Sequence, residues 1–349
     1  MILEISITEE CNLNCKYCYV KQKKGVIKDF VVPLENLKSN LHVFSDNQRF
    51  QISFFGGEPT LYPEKIKEFV DVFPKIFPDY PVSYTLITNG TNMDDDLWNF
   101  IQEKGIGISL SFDGLWQDEI RGKNSTEKIL ENYRKYFSQR ISGCKCMISP
   151  ESIKIASLKE NAEYLLNNGF KYIDFSLVRD DIWSQEDVEL YKEQIVELGK
   201  WFVEKFKKEN FMIGLFWLWI MDSIYGKRDF ACFAGHRGLA LLPNGKWYPC
   251  ERFGSVDAYC IIDEEGYCDK ELVRIFRYVN NPKHYVGCKG CKIYDFCNGM
   301  CMFSMINYID GLCPILSVCE LYRATCSVAH WVYDKLKNER RFLEWIEKK

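Results

Sequence analysis

Over the first two thirds of the chain, short apolar runs alternate with longer stretches of helical periodicity. Six runs read as strands: Ile2–Thr8, Phe50–Phe55, Ser83–Thr88, Ile106–Phe112, Lys145–Ser149 and Tyr172–Leu177. Each is short, rich in β-branched or aromatic residues, and bounded by turn signals. Between them, Pro63–Ile76 places Ile66, Phe69, Val70 and Phe73 at helical spacing. Ser157 and Glu160 form a capping-box pattern that opens a helix over Leu158–Asn168, with Gly169 as its stop. Ser184 precedes a longer helix running to about Lys208. Such alternation predicts parallel strands joined by right-handed crossovers. Six units fit an open barrel or a doubly wound sheet, and the pattern alone leaves both open.

The most apolar run, Phe211 to Met221, is too short to span a bilayer and reads as a buried strand or core helix. After about Arg228 periodicity fades, and glycine and cysteine rise. The tail, Val328 to Lys349, reads as one charged amphipathic helix. The expected domains are therefore residues 1–227, 228–327 and a helix over 328–349.

Composition adds three points. The chain has 349 residues, 47% apolar and 27% charged, the balance of a soluble globular protein with room for two domains. A net charge of −4 without a long basic run gives no reason to expect nucleic acid. No signal segment or membrane span is visible, so a cytoplasmic location is expected. A reducing compartment disfavours disulfides, yet there are 16 cysteines, eleven of them between Cys232 and Cys326. Clustered thiols there point to metal or redox chemistry.

Cys11, Cys15 and Cys18 form C-x3-C-x2-C directly after the first strand, at the carboxyl end where open α/β folds and barrels keep their active sites. A cubane [4Fe–4S] cluster wants four thiolates. Three thiolates hold three irons and leave the fourth open to a ligand such as S-adenosylmethionine (SAM), bound through its amino and carboxylate groups. Structural zinc takes four protein ligands, and no fourth Cys or His is close in sequence. The alternative is three buried free thiols.

With these residues the chain resembles the radical SAM superfamily over roughly its first two hundred residues. Phe54-Phe55-Gly56-Gly57-Glu58-Pro59 is similar to the family's GGEP motif, Thr88-Asn89-Gly90-Thr91 and Ser109-Leu110-Ser111-Phe112-Asp113-Gly114 to elements lining the SAM site. The resemblance implies a partial (βα)6 barrel. It also implies SAM contacts from Tyr19 beside adenine, from Gly56, Gly57 and Glu58 at the amino group, and from Asn89, Ser111 and Arg121. Read without it, these residues are ordinary turn chemistry, a core aromatic and a surface arginine.

The second array reads Cys232-x12-Gly245-x4-Cys250, then Cys288-x2-Cys291-x5-Cys297-x3-Cys301, then Cys319. Seven spaced thiols mean two metal sites or one large one, with zinc an alternative. The array resembles the SPASM domain, a cysteine-rich extension of some radical SAM enzymes. Cys319 fits the last position better than Cys313 or Cys326. The resemblance implies an outer auxiliary [4Fe–4S] cluster on Cys288, Cys291, Cys297 and Cys319, and an inner one on Cys232, Cys250 and Cys301. The inner cluster's fourth ligand is Cys260, Cys268 or an open position. Cys144 and Cys146 share one face of a strand and read as core.

The resemblance implies oxidative modification of a peptide or protein side chain, with thioether or carbon–carbon crosslinking preferred and formylglycine formation on a sulfatase as the alternative. A zinc-stabilised interaction protein without catalysis is the reading from a different class. Glu251, next to Cys250, takes the place of an Asp that acts as base in sulfatase maturases. The chain begins at the first barrel strand, so a separate recognition protein for a leader peptide, or a substrate read by its core sequence, is expected. An external electron donor of flavodoxin or ferredoxin type completes the expected partners.

Overall fold

A computed structural model describes all residues except 21–24, 45–48, 227–229, 255, 310–314 and 348–349. The chain is α/β and divides into two compact units that interleave in sequence. The first comprises Met1–Asn14, Cys18–Ser111 and Cys232–Asn281; the second comprises Cys15–Tyr17, Phe112–Ala231 and Pro282–Lys349.

The first unit is built on a six-stranded sheet. Its strands are β1 (Ile2–Thr8), β2 (Phe50–Gly56), β3 (Val82–Thr88) and β4 (Gly107–Leu110), with β8 (Gly238–Leu241) and β9 (Trp247–Tyr248) from the cysteine-rich region. The order is β4-β3-β2-β1-β8-β9. All neighbours are parallel except β8 and β9, and Ile2 pairs with Gln51 on one side and Gly238 on the other. Parallel strands covered on both faces read as continuous apolar runs, and β8, Gly-Leu-Ala-Leu, is buried along its whole length. The helix Pro63–Ile76 has the expected bounds, with proline in its first turn, and buries Ile66, Phe69, Val70 and Phe73. Phe50 sits edge-on to Phe73 at 5.2 Å, and Phe54 edge-on to Phe69 at 5.5 Å, geometries that aromatic quadrupoles favour.

The second unit holds the parallel strands β5 (Gly143–Ile148), β6 (Tyr172–Leu177) and β7 (Met212–Ile213), in that order. The run Phe211–Met221 becomes the two-residue β7 followed at once by the helix Gly214–Tyr225. Capping boxes open the helices Leu158–Asn167 and Gln185–Phe206; the second uses Asp187 at the third position. Gln185–Phe206 packs on Leu316–Leu336, where the Tyr191 hydroxyl meets Thr325 Oγ1 at 2.7 Å. A Cβ on Gly199 would lie 2.5 Å from Val328 Cγ1, so glycine permits this close crossing. Cys144 and Cys146 are core residues, and burial raises both thiols well above their ordinary pKa.

Three expectations shift. The strand expected over Ile106–Phe112 is only Gly107–Leu110; the chain then leaves β3, and Phe112 N–H bonds to Lys145 O at 2.9 Å. The tail is two helices, Leu316–Leu336 and Arg340–Glu347, because the apolar stripe begins well before Val328 and the polar Lys337–Glu339 interrupts it. Beyond Arg228 regular structure persists, with an amphipathic helix at Lys270–Val279 that buries Val273 and Phe276. Among the described residues no helix is long and apolar enough to cross a membrane.

Candidate cofactor and cluster sites

In the first unit the loop after β1 is held by the end of β2. Gly57 N–H bonds to Thr8 O and Glu58 N–H to Glu10 O, each at 2.7 Å. A Cβ on Gly56 would lie 2.2 Å from Thr8 O, and one on Gly57 would lie 2.0 Å from Glu10 O. Gly56 has φ 122°, a conformation open to glycine. The two glycines therefore let β2 press directly on the backbone that leads into Cys11.

Glu58 is 1% exposed. Its Oε1 accepts from Thr60 N–H at 3.2 Å and from the Thr60 and Thr88 hydroxyls, both at 2.7 Å. Its Oε2 accepts from Asn89 N–H at 2.7 Å. Three donors converge on Oε1 and one on Oε2, which leaves acceptor capacity on Oε2. Burial raises this carboxyl above its usual value, and the four bonds oppose that rise. Glu58 thus ties the end of β2 to the end of β3. Asn89 continues the chain of contacts: its Nδ2 donates to Asn12 Oδ1 at 2.8 Å and approaches Cys11 Sγ at 3.9 Å, while Leu13 N–H points at the same sulfur at 3.4 Å. Ser111 is half-buried; its N–H bonds to Thr88 O at 2.8 Å, and its hydroxyl has no side-chain bond among the described residues.

Tyr19 and Glu251, singled out separately in the sequence, form one pair in this unit. The Tyr19 hydroxyl donates to Glu251 Oε2 at 2.9 Å. Arg252 lies over the Tyr19 ring, 4.7 Å from its centre. Glu251 N–H points at Glu4 Oε2 at 3.3 Å. Burial, and then the charge of Glu4, hold the Glu251 carboxyl well above the ordinary range; the Tyr19 bond works the other way.

In the second unit, the segment Cys15–Tyr17 is anchored by Asp113. Lys16 N–H bonds to Ile120 O at 2.9 Å, and Lys16 pairs with Glu151. The Tyr17 hydroxyl donates to Asp113 Oδ2 at 2.6 Å. Arg121 grips the same carboxylate, with Nε 2.8 Å from Oδ2 and an NH2 bond of 3.0 Å to Oδ1. Met147 N–H adds a bond of 2.8 Å to Oδ1. Asp113 is fully buried and Arg121 is 6% exposed. Burial alone would lower the guanidinium pKa, but Asp113 and Tyr17 outweigh it and the net shift is upward. Arg121, expected from the resemblance at SAM, thus spends its charge on Asp113. Asp113 enters the sequence reading only within the element Ser109–Gly114, and Tyr17 only as a spacer between Cys15 and Cys18.

The cysteine array divides between the units. In the first, Cys232 directs both its N–H and its thiol to Asn280 Oδ1 at 3.2 Å, and Asn280 Nδ2 donates to Ala234 O at 2.7 Å. Asn280, 1% exposed, is the side chain brought to Cys232. Cys268 is a core residue of this unit. Cys260 packs on Ala240, Leu242 and Tyr248, and burial pushes its thiol to about 11.

In the second unit Cys288, Cys291, Cys297 and Cys319 line one cavity with Pro282, Ile293, Tyr294, Gly299 and Tyr322, a space of about 380 Å³ partly open to solvent. Short turns set the spacing: Cys291 N–H bonds to Cys288 O at 3.0 Å, and Cys297 N–H to Ile293 O at 2.9 Å. The Leu316–Leu336 helix delivers Cys319 from its first turn. Burial pushes the Cys319 thiol to about 12; the neighbouring Cys297, Cys288 and Cys291 add to this and Arg323 opposes it. Four half-buried thiols that would repel one another as thiolates fit a cationic iron–sulfur core, which relieves that repulsion. Among the described residues no three Cys, His, Asp or Glu converge on a single-ion site; the thiols surround a space instead. Cys326, two turns further along the same helix, is buried outside the cavity lining, and Cys313 lies outside the described residues.

Residues 5–150 match the model of the Radical SAM superfamily. The chain is 22% identical over 361 residues to the cysteine-type anaerobic sulfatase-maturating enzyme of Clostridium perfringens strain ATCC 13124, covering 90% of this chain and 91% of that protein. It is 22% identical over 367 residues to the radical SAM cyclopropyl synthase TigE of Paramaledivibacter caminithermalis, covering 92% and 72%. Among solved structures, native anSMEcpe with bound AdoMet superposes with a TM-score of 0.78 at 20% identity, covering 97% of this chain and 99% of that one. The same protein with AdoMet and the Cp18Cys peptide gives 0.77. At this identity the likeness establishes the fold: a partial radical SAM barrel with a C-terminal domain.

Proposed function

From the premise that this chain belongs to the radical SAM superfamily, its domain lying in residues 5–150, we propose that it oxidatively modifies a side chain of a peptide or protein. Cys11, Cys15 and Cys18 would hold a [4Fe–4S] cluster with one iron open to SAM. Cys288, Cys291, Cys297 and Cys319 would hold an outer auxiliary cluster, and Cys232, Cys250 and Cys301 an inner one. When bound, the first cluster with SAM supplies a 5′-deoxyadenosyl radical, and the auxiliary clusters accept an electron. The observation that carries this reading is the cavity lined by four thiols.

The chain's own residues do the rest. Gly56, Gly57, Glu58 and Asn89 fix the loop bearing Cys11 and shape the ground on which SAM would lie. Ser111, whose hydroxyl has no side-chain bond among the described residues, and Arg121, held by Asp113, are proposed contacts of SAM. Tyr19 orients Glu251, which would take a proton from a substrate thiol or amide as general base.

Crosslinking of a peptide is the preferred reaction. Formylglycine formation is the second reading, supported by the likeness to a sulfatase-maturating enzyme along nine tenths of both chains. Iron content and SAM cleavage under dithionite, on wild type and a Cys11/Cys15/Cys18→Ala variant, test the core of the proposal. About eight to twelve irons per chain are expected for two or three clusters, with 5′-deoxyadenosine formed by wild type alone. Bound zinc without deoxyadenosine would refute it and favour a zinc-stabilised interaction protein. Turnover of a Cys-x-Pro-x-Arg peptide would select formylglycine formation over crosslinking.

A further inference from the structure

Within the second unit, Tyr322 follows Cys319 by three residues on the helix Leu316–Leu336 and so shares its face. It lines the thiol cavity with the four cysteines. Its ring meets Trp219 edge-on at 5.7 Å, which fixes its tilt. Its hydroxyl accepts a hydrogen bond from the Arg179 side chain. Burial raises the phenol above its ordinary value; Arg179 opposes that rise, and Cys297 and Cys301 add to it. One side chain therefore touches the cavity with its ring and a guanidinium with its hydroxyl. Arg179 lies two residues past β6, on the loop at the carboxyl end of that strand. The next residue, Asp180, accepts from the Ser304 hydroxyl, and Ser304 is fully buried three residues after Cys301. Two neighbouring residues of one loop thus hold the thiol-bearing segments. Arg179 also opposes the burial-driven rise of the Asp174 carboxyl, but Lys145 does so more strongly. Asp174 is thus shared between two cations.

We propose that Arg179, acting through Tyr322, is a positioning residue that raises the reduction potential of the group held by the four thiols. One-electron reduction of an iron–sulfur cluster adds one negative charge, and a cation close by favours the reduced form. A guanidinium keeps its proton at any working pH, so this charge is constant. The Tyr322 hydroxyl holds it one side chain away from the cavity lining. A cluster tuned upward takes an electron from a substrate radical more readily, which is what a net oxidation requires. The inference rests on the reading of the four-thiol cavity as a cluster site, and deepens it by naming what biases that site toward accepting an electron.

The test is a reductive titration of the iron-loaded full-length protein at controlled potential. Titanium(III) citrate is the reductant; each titanium gives up one electron and becomes titanium(IV). The paramagnetic resonance signal followed is the one that Cys319→Ser abolishes, and iron content is measured on each preparation. Arg179→Gln should lower the reduced-to-oxidised ratio at a fixed potential about tenfold, which is about 59 mV for one electron. Arg179→Lys keeps the charge and should recover most of that shift. Tyr322→Phe keeps the ring and removes the acceptor, and should shift the ratio in the same direction by less. Lys335→Gln removes an exposed cation near the far end of the same helix and should shift nothing. An unchanged ratio in either Arg179→Gln or Tyr322→Phe, or an equal fall in Arg179→Gln and Arg179→Lys, would overturn the proposal. Where Arg179→Gln fails to hold iron, Tyr322→Phe decides alone. A wild-type protein without iron, or a Cys319→Ser variant that loses no signal, would instead sink the cluster reading beneath it.

Discussion

The Asp113 carboxylate holds Tyr17, Arg121 and Met147 N–H together in the second unit, and its replacement by Asn measures how much they depend on it. Asp113→Asn keeps the shape and removes the charge. Arg121, 6% exposed, would be left as a buried cation without its counter-ion. Breaking a buried pair by deleting one partner costs about 3–5 kcal/mol. The change also weakens the bonds from Tyr17 at 2.6 Å and Met147 N–H at 2.8 Å, since one of them loses its acceptor to an NH2 group. An orphaned buried donor adds about 1–3 kcal/mol, of which a rotated amide recovers part. A loss of roughly 4–6 kcal/mol is expected from these two costs. The second variant, Asp113→Asn/Arg121→Met, removes both charges. Replacing a buried pair by apolar volume is often near neutral, so the double variant should be more stable than Asp113→Asn alone. Anaerobic urea unfolding, followed by far-ultraviolet and tryptophan signals, gives the double-mutant cycle. A change below about 1 kcal/mol for Asp113→Asn, the range of an exposed ion pair, would refute the reasoning. So would a double variant less stable than the single one by the full cost of a second independent loss. Either result would show that Arg121 does not depend on Asp113 as its counter-ion.

Three further outcomes follow from the sites. Gly57→Ala drives a Cβ to 2.0 Å from Glu10 O; the loop bearing Cys11 must shift, and metal analysis should show about four irons lost per chain with the rest retained. Cys319→Ser should likewise lose about four irons, whereas Cys326→Ser, outside the cavity lining, should keep the wild-type content. Glu58 supplies a pH dependence. Its folded carboxyl is raised, so the folded state holds the proton more tightly than the unfolded one, and stability falls as pH rises from the ordinary carboxylate range through the raised value. Unfolding curves from acid to neutral pH should show that decline in wild type and a flatter profile in Glu58→Gln.

What the sequence made legible was local. The helix Pro63–Ile76 announces itself by its proline and by four apolar residues on one face, and the box at Ser157 by a glutamate three residues on. The thiol cavity was legible for the same reason: three of its four cysteines lie within ten residues, at spacings that short turns impose. The contacts that hold the sites were not. Tyr17 and Asp113 are 96 residues apart, and neither a lone tyrosine nor an aspartate in a turn has a local signature. Asn280 reaches Cys232 from the end of a helix 48 residues further on, and an asparagine there has no local signature that points to a cysteine. β8 has four apolar residues and no period, so its pairing with β1 is dictated by the sheet edge and not by its own pattern. Glu58 was visible as part of a motif, but two of its four protein donors come from Thr88 and Asn89 at the end of β3, which only the fold brings to it.

The pairing of β1 with β8 has a consequence for how the protein is made. β1 leaves the ribosome before the other described elements, and its β2 neighbour follows within about fifty residues, as the register Ile2 with Gln51 requires. Its other edge waits for Gly238. Until then the strand that leads into Cys11 presents a bare row of N–H and C=O groups, the kind of edge that recruits foreign strands. Long-range parallel pairing is slow to form and exposed to aggregation. The nascent chain therefore spends most of its synthesis with its N-terminal thiols beside an unfinished sheet. Truncations that end before residue 238 should be aggregation-prone in a way that truncations after residue 241 are not.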